Sequence, residues 1–83
     1  MACYFFHLCD GHDVLMDPDG REIEDPAKIA AIALKECRWC ISQDALDGRI
    51  DLGQSIEVRD SDGELVHMLR FQDAVLIGRH KPA

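Results

Sequence analysis

Apolar positions along the chain recur with two different periods, and the changes of period divide it into strands and one helix. Cys3-Tyr4-Phe5-Phe6-His7-Leu8-Cys9 is rich in aromatic residues and ends at Asp10-Gly11, which marks a strand closed by a turn. Its two rows, Tyr4, Phe6 and Leu8 against Cys3, Phe5, His7 and Cys9, differ little in polarity. Such a strand is covered on both faces or lies centrally in its sheet. Asp17-Pro18-Asp19-Gly20 and Asp60-Ser61-Asp62-Gly63 share the chemistry of a type I turn followed by a left-handed glycine. Both are expected to close hairpins, with Leu15 opposite Ile23 in the first, and Val58 opposite Val66 and Ile56 opposite Met68 in the second. A slip of one residue would instead turn Leu65, His67, Leu69 and Phe71 to the core.

Between these turns, Asp25-Pro26 carries a helix-start signal. The Asp side chain can accept from early backbone N–H groups, and proline fits the first turn, where no N–H is needed. The helix is expected from Pro26 to about Leu46, ending before Gly48. At about 100° per residue, Ile29, Ala30, Ala33, Leu34, Cys37, Cys40 and Ile41 share an arc of about 140° with Cys37 near its centre. The opposite side carries Lys28, Lys35 and Arg38, but also Ile32 and Trp39. Either the Asp47 to Gln54 loop or the C-terminal segment folds over this apolar pair, or Ile32 and Trp39 form a partner surface. Gln72 to Ile77 is expected to dock as a short helix or a sixth strand. The fold class that follows is α+β: a mainly antiparallel sheet of about five short strands, with one long helix packed on one face.

Length and charge narrow the choice of function. The 83 residues, of which 47% are apolar and 30% charged, make a single domain spanning 1–83. A chain this short buries only about 60–65% of its unfolded surface, so self-association is one way to supplement a small core. Nine basic against 16 acidic residues give a net charge of −7, with seven of the acids between Asp10 and Asp25. That field repels phosphate backbones and disfavours nucleic-acid binding. The basic run Arg79-His80-Lys81 reads as a solvated terminus. No apolar stretch reaches the length of a membrane span and no basic leader precedes the first apolar run, so a cytoplasmic chain with reduced thiols and no membrane partner is expected.

Candidate chemistry centres on the cysteines and histidines. Cys37-Arg38-Trp39-Cys40 has C-x-x-C spacing, but thioredoxin-type reactivity needs the first thiol at a helix N-terminus, and this pair lies about three turns inside the helix. The alternative to buried core thiols is a zinc-stabilised domain using Cys37 and Cys40 with His7, Cys9 or His12. Cys3 and Cys9 cannot both take part, because six extended residues separate them by about 20 Å. Calcium loops are excluded by register: with Gly20 or Gly63 in the sixth place, the first position is Leu15 or Val58 and the twelfth is Pro26 or Leu69. His7, His12, Asp10 and Asp13 match no catalytic motif. The expectation is therefore no catalytic residue, no cofactor and no enzyme activity.

Tyr4-Phe5-Phe6-His7-Leu8 with Asp10-Gly11, Asp17-x-x-Gly20-Arg21-Glu22, the Ala-rich helix, Ile56-Glu57-Val58-Arg59-Asp60 with Gly63, and Phe71 before Asp73-Ala74 together resemble a family of small alphaproteobacterial, rhizobial-type domains of unknown function. The resemblance covers nearly the whole chain through structural and turn signals. It implies a stand-alone cytoplasmic bacterial α+β domain, supplies no active-site residues, and does not include the C-x-x-C. The function expected is a non-catalytic interaction module, self-associating into a homo-oligomer or bound to a protein partner through Ile32 and Trp39.

Overall fold

A computed structural model of the chain describes residues 2–78, so the basic run Arg79-His80-Lys81 lies outside the described residues. Its longest strand, β1 (Ala2–Asp10), is the centre of a five-stranded antiparallel sheet. Along one edge of β1 runs β4 (Gln54–Asp60), and beyond it β5 (Leu65–Arg70). Along the other edge lie two three-residue strands, β2 (Asp13–Leu15) and β3 (Arg21–Ile23). The near-equal polarity of the two rows of β1 thus fits a central strand.

The first expected hairpin is not there. Both β2 and β3 pair with β1, with Leu15 opposite Leu8 and Ile23 opposite Ala2, so Leu15 does not face Ile23. The chain reverses at Gly11, whose φ of 62° suits the left-handed position, and Asp17 to Gly20 is an excursion between two halves of one broken strand. The physical reason is that β1 presents a full open edge. Two three-residue segments gain more ladder bonds on that edge than on each other.

The second turn does close a hairpin, between β4 and β5, with Asp60 N–H donating to the Glu64 carbonyl at 3.0 Å. Its register differs from the first expectation. A bulge next to Val58 sets Arg59 opposite Leu65 but Val58 opposite His67 and Ile56 opposite Leu69, rather than Val66 and Met68. The extra residue turns His67 and Leu69 inward and delivers Phe71 to the core, where it is fully buried, while Leu65 remains exposed. Burying the Phe71 ring in this register stabilises by about 1.5–3 kcal/mol.

The helix begins as its start signal predicts. Asp25 Oδ1 accepts from Ala27 N–H at 3.0 Å, a 3-10 turn spans Pro26–Lys28, and α1 runs Ile29–Leu46. Gly48, at φ 83°, lies just past its end. Ile29, Ala33, Cys37 and Ile41, four residues apart, form its buried stripe. Leu34 and Cys40 are half-buried beside them, whereas Ala30 is exposed instead of lying in the core. The stripe packs on the inner row of the sheet, with Tyr4, Ile23, Ile56 and Val58. After β5 the chain makes the short helix α2 (Phe71–Ala74), whose Ala74 carbonyl accepts from Arg38 Nε at 2.9 Å. No helix among the described residues is long and apolar enough to cross a membrane.

Candidate functional site

With α1 on one face, the opposite face of the sheet is covered, among the described residues, by the excursion between β2 and β3. Side chains alternate along a strand, so the row Cys3, Phe5, His7 and Cys9 lies there, with Ser55, Glu57 and Arg59 of β4 beside it. Gly20 passes directly over this row. A Cβ at that position would stand 2.8 Å from Cys3 Sγ and 2.8 Å from the Phe5 ring, so glycine is needed for space as well as for its φ of 68°.

The excursion is tied down by two interlocked contacts. Asp17 places one carboxylate oxygen 3.1 Å from the Phe6 N–H, on the stretch of β1 between the two ladder segments, and the other 3.2 Å from the Asp19 and Gly20 N–H groups. The Asp17 N–H in turn donates to His7 Nδ1 at 3.0 Å. Burial pushes the Asp17 carboxyl up, but the N–H groups of Phe6, Gly20 and Asp19, with the nearby His7, outweigh it and hold the group below its ordinary value. Because Nδ1 accepts, a neutral His7 carries its proton on Nε2. His7 is only 6% exposed, and its ring lies nearly parallel to that of Phe5, at 17° and 6.3 Å between centroids.

These rings floor an open cleft of about 320 Å³. Met16 and Asp17 form one wall, and Arg59, Asp60, Ser61 and Gly63 form the other. Arg59 is already engaged, donating to Glu57 at 3.0 Å and to the Gly63 carbonyl at 2.9 Å. Further along, the Cys9 thiol donates to Glu57 at 3.2 Å. That bond lowers the Glu57 carboxyl against the effect of its burial, while burial first and the carboxylate second raise the Cys9 thiol.

On the far side of the molecule, burial and the neighbouring Cys40 push Cys37 up to about 11, and Cys40 is raised by burial and by Glu36 and Asp44. Raised in this way, both groups are weak nucleophiles at neutral pH. The alternative zinc set fails on topology: Cys37 lies under α1 on one face, His7 and Cys9 lie on the other, and His12 is exposed in the β1–β2 turn. Among the described residues no three His, Cys, Asp or Glu side chains come together to hold a metal ion.

The two residues read as a partner surface are placed differently. Trp39 is 61% exposed, so among the described residues neither the Asp47 to Gln54 loop nor the C-terminal segment seals it from water. Ile32 is half-buried and packs against the core, on the flank of α1 where Glu36 meets Arg21 of β3 at 2.9 Å. Phe5, Met16, Asp17 and Arg59 were not singled out from the sequence. The two apolar rows of β1 were the available signal, since only one row can face the helix.

An antiparallel sheet with one long helix across it and a polar, aromatic cleft on its bare side defines a small α+β domain. This chain belongs to the DUF6894 family, a domain of unknown function, whose family model matches residues 3–72, from β1 to the start of α2. Searches of curated proteins and of solved structures each returned no match.

Proposed function

We propose that the chain is a non-catalytic interaction module of the bacterial cytoplasm that associates with further copies of itself. The observation that carries this reading is the back of α1. At 100° per residue Lys35, Trp39, Ser42 and Leu46 line up opposite Cys37, and Trp39 and Leu46 are 61% and 80% exposed. An exposed indole and leucine on one helix face form an apolar patch of the kind that marks association sites, and tryptophan is among the residue types enriched at binding hot spots. The raised thiols and the structural use of His7 Nδ1 by Asp17 N–H weigh against nucleophilic or acid–base chemistry. The net charge of −7 weighs against nucleic acid as a partner.

Light scattering on size-exclusion fractions tests the reading. Wild type is expected to show a concentration-dependent mass above that of a monomer, and Trp39→Ala a monomer at the same loading. Monomers in both would overturn it.

A further inference from the structure

The two surfaces on opposite sides of the molecule complement each other. α1 carries two acids, Glu36 and Asp44, and both lie off its outward strip, Glu36 being held by Arg21. In a chain with 16 acidic residues, the strip that bears Trp39 is therefore lysine, serine and apolar side chains only. The cleft is the reverse. The two loops beside it contribute Asp17, Asp19, Asp60, Asp62 and Glu64, and the one cation in its wall, Arg59, is neutralised by Glu57 at 3.0 Å.

The interior of the cleft also points to an occupant. His7 is buried, its Nδ1 accepting from the Asp17 N–H while its ring lines the cleft. Parallel Phe5 and His7 rings with the Met16 thioether suit a flat aromatic side chain. At about 320 Å³ the cleft is at the lower limit for small-molecule sites and of a size for one large side chain. A buried indole N–H also needs an acceptor, and the rim supplies carboxylates.

We infer that the Trp39 strip of one copy seats in the Phe5–His7 cleft of the next, so that copies join head to tail with lysine against the acidic rim. This rests on the self-association reading and specifies its interface. Because the two surfaces differ, the contact is heterologous, and each joined pair leaves one strip and one cleft open.

Complementation between two variants tests it. Trp39→Ala removes the strip but keeps the cleft. Met16→Arg, at a 62% exposed position, sets a cation in the cleft against Lys35 and keeps the strip; Ser61→Arg, at an exposed position on the other wall, is the second cleft variant. Each variant alone is expected to need at least about tenfold more protein to assemble than wild type. Mixed in equal amounts, a strip variant and a cleft variant should form a dimer and stop there. Trp39 is the only tryptophan, so its emission should move to shorter wavelength in the mixture and not in the cleft variant alone. Wild-type assembly with no dimer in either mixture would overturn the head-to-tail interface while leaving self-association standing. A wild type that stays monomeric would overturn both.

Discussion

Asp17-Pro18-Asp19-Gly20 and Asp60-Ser61-Asp62-Gly63 place nearly the same residues in the same order, yet one interrupts a strand and the other reverses the chain. Locally they are alike. In each, the first Asp accepts from the N–H two residues on, at 3.2 Å for Asp19 and 3.0 Å for Asp62. In each, the glycine is left-handed, at φ 68° and 83°. They differ in what the first Asp does beyond its own loop. Asp60 closes its hairpin with its own backbone, whereas Asp17 sends a carboxylate oxygen across to Phe6 of β1. Turn chemistry therefore sets the shape of a loop, and the strand edge available nearby decides what the loop connects.

The glycines separate the two loops most sharply. Alanine at either position meets the left-handed backbone penalty of about 1–2 kcal/mol. At Gly63 nothing lies within 4 Å of the added methyl group, so Gly63→Ala should cost about that and no more. At Gly20 the methyl would press on Cys3 and the Phe5 ring at 2.8 Å, which adds about 1–3 kcal/mol of overpacking. Urea unfolding midpoints of the two variants check the order. Equal losses would mean that the excursion does not rest on the sheet.

The aspartates come next in size. Asp17→Ala removes the acceptor for the Phe6, Asp19 and Gly20 N–H groups, one of them on the central strand, and should cost about 1–3 kcal/mol. Asp60→Ala frees the N–H groups of Asp62 and Glu64, both exposed, which water can satisfy, so its cost should stay within about 1 kcal/mol. Hydrogen exchange distinguishes the sites as well: the Phe6 amide should lose protection in Asp17→Ala and keep it in Asp60→Ala.

How much of this was legible in the sequence follows the same division between local and non-local causes. The helix limits were readable because Asp25-Pro26 and Gly48 act within a turn of themselves. The buried stripe through Cys37 followed from period alone, and the two apolar rows of β1 foretold a central strand. The first hairpin was misread because its deciding partner, the open edge of β1, lies about ten residues away and leaves no mark on the loop itself. The β5 register was open because both of its rows are apolar, and only the docking of Phe71 separates them. At the cleft, His7 stood out as a residue type, while the Asp17 that fixes its tautomer was legible only as a turn former. The zinc set looked plausible for a related reason: spacing along the chain does not say on which side of a sheet a thiol will lie.

The smallest expected effect is also the most specific to Asp17. Its carboxyl sits below its ordinary value of 3.8 because backbone donors outweigh its burial, so the folded state binds this proton less tightly than the unfolded chain does. The stabilisation is fully present above the unfolded value and is lost as pH falls through the lower, folded one. Wild type should therefore lose stability below about pH 4 more steeply than Asp17→Asn, which has no proton to take up there. Asn keeps an acceptor oxygen for part of the network, so the variant should remain folded enough to compare. Urea midpoints taken from neutral pH to about pH 3 give the measurement, with the gap between wild type and variant closing on the acid side. Parallel curves would show that the Asp17 contacts hold the loop by geometry alone, without the charge, and the contrast with the second turn would then reduce to the reach of one side chain.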